Sequence, residues 1–225
     1  MGLERPLLDE VARACDGAPT FTCDVTDRAA VDRCVEAAVS ALGGLDIVIA
    51  NAGVAAQVPI LGGNPVVFER TIAVNVLGVY YTLRAAAPHI AHARGYALAI
   101  SSLGGAVHVP LMGAYAASKA GVEALGNAMR TEMQSSGARV GVAYFAELET
   151  DMTRKGFGTR AARVVTGGSA LTGIAPLSSA IDALERGITR RSRQIVAPGW
   201  VALVLPFRAV AQRVIEVALR SRVDE

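Results

Sequence analysis

The sequence predicts an α/β protein in which helices cover both faces of a parallel sheet. Short apolar runs alternate with longer helical patterns, which is typical of strand–helix–strand units joined by right-handed crossovers. Runs such as "LDIVIA" at 45–50 are apolar throughout rather than at every second position, which indicates strands that are buried on both faces. The length of 225 residues is that of one such domain.

The predicted elements follow one another closely along the chain. Strands are predicted at 19–25, 45–50, 95–102, 138–145 and 193–198. Helices are predicted at 26–42, 64–90, 113–136, 176–190 and 207–222. Thr26 is the predicted N-cap of the first of these helices, and Gly43 and Gly44 are its predicted stop.

Two segments interrupt this alternation. Residues 147–175 are rich in Gly and Thr, and we interpret them as a loop with short helical pieces that forms a lid. We divide the chain into one domain at 1–200 and a tail helix within 201–225. The apolar stretch 195–211 is too short, and too interrupted by Pro198 and Pro206, to predict a membrane span.

The composition and charge of the chain indicate which classes of binding partner are not expected. The formal net charge is +2 and no segment concentrates Lys and Arg, so nucleic acid is not an expected partner. A membrane is not expected either, although Arg208, Arg213 and Arg220 on the tail helix would permit packing on a partner or on a membrane surface. The N-terminus has no apolar core of a signal peptide.

The cysteines and histidines predict no metal site. Three cysteines, an odd number without metal-ligand spacing, are most simply reduced thiols of a cytoplasmic protein; they are Cys15, Cys23 and Cys34. His89 and His92 have a spacing that permits a metal, but two histidines alone do not make a site, so we interpret them as a solvated helix end.

Polar residues follow the predicted strands, where parallel α/β sheets bind ligands. Asp24 follows the first strand, the sequence "NAG" at 51–53 the second, Ser102 the third, and Thr150 comes soon after the fourth. On the helix after the third strand, Tyr115 and Lys119 lie one turn apart on the same face.

These residues resemble the classical short-chain dehydrogenase/reductase family. The resemblance covers Leu8 to Pro198, and Ser102 stands thirteen residues before Tyr115, as the family pattern requires. It implies a Rossmann-like fold, NAD or NADP as cofactor, and hydride transfer to or from a secondary alcohol or ketone. The matching stretches are "CDVTD" at 23–27, "LDIVIANAG" at 45–53, Asn75, "ISS" at 100–102 and "YAASK" at 115–119.

The resemblance also implies roles for single residues. A free tyrosine has a pKa near 10, and an ammonium such as that of Lys119 would favour its phenolate, which makes Tyr115 the general acid or base. Ser102 would orient the substrate oxygen, and Asn75 would hold a water that passes protons to Lys119. The implied cofactor-binding residues are Asp24, Val25, Asn51, Ala52, Gly53, Tyr115, Lys119 and Thr150.

The sequence departs from the family in two places. Family members begin with a strand, a TGxxxGxG loop, a helix and a second strand, and we expect the first two strands and the glycine loop to be absent here. The strand at 19–25 would then lose its neighbour, and the strand at 45–50 would have an exposed edge. Phe145 and Ala146 stand where the family usually has Pro-Gly.

Two explanations of the first departure stay open. Either the start of the chain is assigned too far downstream, or the chain has lost cofactor binding and serves as a non-catalytic binding partner. In the first case the resemblance implies a homodimer or homotetramer assembled through the helices at 64–90 and 113–136, and in the second the chain would pair with a full-length homologue through the same helices.

Overall fold

The computed structural model describes residues 1–150, 152–153 and 173–223, with the side chains of 221–223 excepted. Its sheet has four parallel strands in the order β1-β2-β3-β4, and their register pairs Ile49 with Leu98 and Leu98 with Gly141. The strands are β1 (Ile47–Ala50), β2 (Tyr96–Ile100), β3 (Arg139–Phe145) and β4 (Gln194–Ala197).

Eight α-helices have their bounds in this described part. They are α1 (Arg5–Ala14), α2 (Arg28–Leu42), α3 (Pro65–Ile72), α4 (Gly78–Ile90), α5 (Gly113–Glu132), α6 (Leu177–Thr189), α7 (Val201–Val204) and α8 (Arg208–Val223). A π-helical turn, Ala73–Leu77, joins α3 to α4, and single 3₁₀ turns are formed by Leu103–Gly105, Gln134–Ser136 and Leu205–Phe207.

The sheet is covered on both faces, which confirms the predicted doubly wound architecture. Every residue of β2 is buried, and successive side chains point to opposite faces. Ala97 and Ala99 pack in a core with α4 and α5, whereas Leu98 packs with side chains of α6. A further core joins β3 to α7 and α8 through Tyr144, Val201 and Ile215, among others.

Four of the five predicted strands are confirmed, and the strand at 19–25 is wrong. There the backbone makes one parallel bridge, between Gly2 and Thr22, with bonds from Gly2 N to Phe21 O and from Cys23 N to Gly2 O. A strand needs a continuous partner, and this segment has none among the described residues. The other edge of β1 likewise has no strand beside it in the described part, where β1 pairs with β2 alone.

The predicted helices form, with corrections at their ends. The N-cap of α2 is Asp27 rather than Thr26, because the Asp27 carboxylate accepts a bond from Ala30 N (3.1 Å). Gly43 ends α2 in the left-handed region at φ 73°, as predicted. The predicted helix 64–90 is divided by the π-helical turn at Ala73–Leu77, and most of the predicted lid, residue 151 and residues 154–172, lies outside the described residues.

One helical stretch, Pro65–Ile90, meets the length and hydropathy expected of a membrane span. It comprises α3, the π-helical turn and α4, and α4 packs on the sheet through Val79, Leu83 and Ile90. A core helix of a globular protein meets the same criterion, so this stretch is weak evidence for a span.

Candidate active site

The helix α5 carries Tyr115 and Lys119 to the carboxyl ends of β2 and β3. It lies close to the sheet because Gly126 has no side chain: a Cβ there would stand 2.5 Å from Cγ2 of Val142. Gly105 allows a second close approach, since its Cβ would lie 2.7 Å from the carbonyl carbon of Lys119. The Ser101 hydroxyl donates to Lys119 O (2.8 Å) and fixes the helix against the end of β2.

The Lys119 ammonium is buried, with 4% of the residue exposed. Its Nζ donates to the carbonyl oxygen of Ile100 at 2.9 Å, and no other described group is recorded as accepting from it. Burial disfavours the charged form and lowers the pKa of Lys119 to about 8. Two of its three N–H donors therefore remain available to a ligand's oxygens.

Tyr115 lies beside this ammonium, with Lys119 Nζ 5.7 Å from its ring centroid. Burial raises the pKa of Tyr115 above its ordinary value, and a hydrogen bond with the Ser102 side chain lowers it to a smaller extent. Desolvation of the phenolate is the larger of these two effects, and it favours the neutral phenol.

Ser102 begins the 3₁₀ turn that follows β2. Its hydroxyl accepts from Gly104 N (3.1 Å) and donates to the carbonyl oxygen of Phe145 (3.3 Å). Phe145, one of the two residues that depart from the family pattern, thus takes part in the site through its backbone. The bond to Phe145 is long, so a better acceptor placed beside Tyr115 would compete for the Ser102 proton.

Asn75 is fully buried in the π-helical turn and clamps the loop after β1. Its Oδ1 accepts from Val54 N (2.7 Å), and its Nδ2 donates to Val54 O (2.9 Å) and to Ser118 Oγ (2.9 Å). Ser118 in turn donates to Tyr115 O (2.7 Å). The Asn75 amide is therefore committed to protein atoms and acts on the site by joining the 51–54 loop to α5.

Gly53 lies between Asn75 and Lys119 and leaves the space beside them open. A Cβ at this position would lie 3.5 Å from both Asn75 Oδ1 and Lys119 Nζ. The structure thus brings together Gly53, Asn75 and Lys119, and Tyr115 with Ser102 beside them. Asn51 is exposed and Ala52 half-buried at the start of the same loop.

The other predicted cofactor residues lie at the ends of different elements. Asp24 accepts from both the backbone N and the hydroxyl of Thr26 (2.9 and 2.8 Å), and these bonds lower the pKa of its carboxyl. Val25 packs against the start of α4, where a Cβ on Gly78 would meet it at 2.6 Å. The Thr150 hydroxyl bonds to the Thr153 hydroxyl (2.8 Å). Within the described chain, Asp24, Val25 and Thr150 make no hydrogen bond or ion pair with Lys119.

The sequence interpretation did not assign the bonds and close approaches that hold the site in place. Val54 and Ser118 each take part in two hydrogen bonds and Ser101 in one, and Gly105 and Gly126 allow two close approaches. Ser118 lies inside "YAASK", where small residues on a helix face predict close packing but not which hydroxyl bonds to which group. Val54 had no signal, because a backbone contact does not depend on the side chain.

Metal ligands are not grouped in the described part of the chain, where no three His, Cys, Asp or Glu side chains come together. His89 contacts the Glu36 carboxylate at 3.0 Å, and His92 lies 3.2 Å from Leu45 O.

The doubly wound parallel sheet is that of a Rossmann-type α/β protein, and Ser102, Tyr115 and Lys119 converge at its carboxyl edge. The family model described as short chain dehydrogenase matches residues 4–161. The chain belongs to the short-chain dehydrogenase family.

Curated relatives match part of the chain. The short-chain dehydrogenase/reductase eriH of Hericium erinaceus is 37% identical over 133 residues, 58% of this chain and 53% of that protein. The trans-4-hydroxycyclohexanecarboxylate dehydrogenase of Sinomonas cyclohexanicum is 32% identical over 138 residues, 60% of this chain and 53% of that protein. The match to the glycine betaine reductase ATRR of Emericella nidulans, 37% identical, spans 62% of this chain and 11% of that protein. The first two matches each span about half the relative's length.

Solved structures share the fold. A 3-ketoacyl-(acyl-carrier-protein) reductase from Brucella melitensis complexed with NADH aligns with a TM-score of 0.74 at 22% identity, covering 86% of this chain and 83% of that one. NAD+-bound xylitol dehydrogenase aligns with a TM-score of 0.73 at 20% identity, covering 87% and 85%.

Proposed function

We propose that this chain supplies the proton-transfer site of an NAD- or NADP-dependent oxidoreductase that interconverts a secondary alcohol and a ketone. The observation that carries the proposal is the convergence of Ser102, Tyr115 and Lys119 in one partly buried site. A relative named for dehydrogenating trans-4-hydroxycyclohexanecarboxylate, a secondary alcohol, supports this substrate class.

The residues fit the nicotinamide end of the cofactor. The buried Lys119 ammonium has donors to spare for ribose hydroxyls, and Gly53 leaves room beside it. Tyr115, Asn51 and Ala52 would complete this end, with Asp24 and Val25 toward the adenine and Thr150 toward the nicotinamide amide. The cofactor, when bound, supplies or accepts the hydride.

The electrostatics of the site indicate which groups would carry and transfer the protons. The neutral Tyr115 hydroxyl donates its proton to the substrate carbonyl oxygen, and Ser102 turns its own hydroxyl from Phe145 O to the same oxygen. The phenolate left on Tyr115 is stabilised by the Lys119 ammonium, which is charged below its pKa of about 8.

Asn75 acts as a positioning residue in this proposal. It holds the 51–54 loop, which carries Gly53, against Ser118 on α5. The cofactor-facing loop and the proton donor thereby keep a fixed separation.

We infer that two or four copies of the chain assemble through the helices at 64–90 and 113–136. Exposed apolar side chains on the first of these, Val66, Phe68, Leu77 and Tyr80, support the assembly. Size-exclusion chromatography with light scattering tests it, and a monomer at micromolar concentration would contradict it.

The function is tested by two measurements on the same samples. Fluorescence titration with NADH and NADPH measures binding, and consumption of the reduced cofactor measures reduction of cyclic and linear ketones. Tyr115→Phe removes the donated proton and is expected to lower kcat by roughly 100-fold or more with cofactor binding retained within a few fold. Tyr80→Phe, at an exposed tyrosine, is the control that keeps full activity.

Two different results would contradict the proposal, and each refutes a different part of it. Equal turnover in Tyr115→Phe and the wild type would refute the role of Tyr115. A folded chain that binds neither nucleotide would refute the enzyme proposal for this chain and favour a non-catalytic binding partner.

A further inference from the structure

An apolar stripe runs along the outside of the C-terminal helices. We define the outer stripe as Leu203 of α7, Phe207 of the 3₁₀ turn that follows, and Val210, Val214 and Val217 of α8, whose spacings of four, three, four and three residues match the helical repeat. Their exposed fractions are 73%, 66%, 62%, 61% and 76%. Single exposed apolar side chains are ordinary, but a continuous row of five is typical of an interaction surface.

The opposite side of α8 is occupied by the protein itself. Ala211 and Ile215 pack on the core formed by β3 and α7, and Leu219 is buried. Gln212 accepts from His108 N (2.7 Å) and donates to His108 O (3.3 Å), while Arg208 pairs with Glu123. These contacts fix the orientation of α8. The exposure of the outer stripe is therefore not a result of fraying of the helix.

Arginines border the stripe on one side. Arg213 is three residues after Val210 and four before Val217, and Arg220 is three after Val217, so each neighbours the stripe on the helix surface. Neither is recorded in an ion pair with a described residue. The one acidic residue within α8, Glu216, accepts a hydrogen bond from Gln212 on the side away from the stripe.

This charge pattern selects between two occupants. If a second copy of α8 lay antiparallel on the stripe, Arg213 and Arg220 would face the same margin of the other helix, whose charged residues next to the stripe are arginines, and like charges repel at such a seam. A surface of anionic lipid offers apolar chains to the valines and phosphate groups to the arginines at the same time. Interfacial helices have this arrangement, with a row of apolar side chains and arginines beside it.

We propose that the outer stripe of α7 and α8 binds the chain to the surface of an anionic lipid bilayer. The helix would lie in the plane of the interface, with the stripe inserted among the acyl chains and with Arg213 and Arg220 at the level of the phosphates. The proposal does not depend on the enzymatic activity, and its test measures none.

Vesicle flotation tests the proposal with the full chain. In a density gradient, bound protein rises with the lipid whereas aggregated protein stays below, so self-association is not mistaken for binding. The wild type is expected to float with phosphatidylcholine vesicles that contain about 30% phosphatidylserine and to float far less with phosphatidylcholine alone. Raising the salt from about 0.1 M to about 0.5 M is expected to reduce the floated fraction.

Matched variants separate the apolar and the basic contributions. Val214→Glu is expected to lower the affinity for anionic vesicles on the order of tenfold, whereas Val11→Glu, at an exposed valine of α1, changes it little. Arg213→Gln and Arg220→Gln are each expected to lower the affinity by about fivefold.

Three results would overturn the proposal. They are a wild type that stays below both kinds of vesicle, equal flotation with neutral and anionic lipid, and loss of flotation in Val11→Glu equal to that in Val214→Glu. If Val214→Glu instead converts a lipid-free dimer to a monomer and the wild type does not float, the occupant is a second copy of the chain.

Discussion

The ammonium of Lys119 donates to the carbonyl oxygen of Ile100 across 2.9 Å, which links the helix that carries Tyr115 to the last residue of the central strand β2. The bond makes a buried charge part of the structure as well as of the proposed chemistry. A buried charge that has no carboxylate partner among the described residues lowers the stability of the fold. Buried charges of this kind are typical of functional sites. The cost has a measurable pH dependence.

Replacing Lys119 by Met is expected to change how stability depends on pH. The pKa of Lys119 is about 8 in the folded chain and 10.5 in the reference state, so unfolding takes up a proton between these values and the folded state gains stability as the pH rises through them. Below about pH 8 the penalty is nearly fully present. From about pH 7 to about pH 10 the wild type should therefore gain roughly 2 to 3 kcal/mol relative to Lys119→Met.

Urea unfolding of both proteins at several pH values measures this difference. Other titrating groups are common to the two chains, so their contributions cancel in the comparison. A difference in the free energy of unfolding that stays constant over this pH range would mean that Lys119 titrates as it does in water.

Replacing Asn75 by Ala is expected to destabilise the protein and to loosen the loop after β1. The change removes both bonds to Val54 and the bond to Ser118, and it leaves the Val54 N–H without its acceptor. The expected loss is roughly 3 kcal/mol in the free energy of unfolding. Asn51→Ala, at an exposed asparagine of the same loop, should change it by less than about 0.5 kcal/mol.

Amide hydrogen exchange distinguishes the clamp from a general packing effect. In Asn75→Ala the Val54 amide should exchange faster by a larger factor than the amides of β2, which do not depend on this clamp. Uniform acceleration at Val54 and in β2 would show that Asn75 contributes to global stability without a specific hold on the loop.

The sequence predicted those parts of the site that depend on side-chain type and local spacing. Tyr115, Lys119 and Ser102 lie together as expected, because a helix turn and a strand end fix their positions within short stretches of chain. The Asn75–Ser118 bond joins residues 43 positions apart, and no local pattern indicates it.

The fold shows the same division between local and distant determinants. β2 is apolar at all five positions and was predicted from that pattern, and the structure buries each of them. The segment 19–25 was also predicted as a strand but forms only the bridge between Gly2 and Thr22, because a strand also requires a neighbour that its own residues do not encode. The π-helical turn around Asn75 had no local signal either.

A pair of glycines on α5 provides a matched test of how the helix reaches the site. At Gly126 a Cβ would stand 2.5 Å from Cγ2 of Val142. Val142 is buried and its side chain is short, so this methyl group cannot move away. At Gly121 the nearest atom to a Cβ is Cγ2 of Val76 at 3.5 Å, an ordinary contact. Both positions are interior to the same helix, so Ala has the same intrinsic advantage over Gly at each, up to about 1 kcal/mol.

Gly126→Ala is therefore expected to lower the free energy of unfolding by roughly 1 to 3 kcal/mol, and Gly121→Ala to leave it unchanged or to raise it by up to about 1 kcal/mol. Urea titration of the two variants and the wild type measures both shifts. Because the helix can relieve the clash only by moving away from β3, Gly126→Ala should also weaken the hold of α5 on the strand ends and reduce cofactor binding, whereas Gly121→Ala should not. Equal stabilities in the two variants would show that helix propensity, and not contact with the sheet, is what these glycines control.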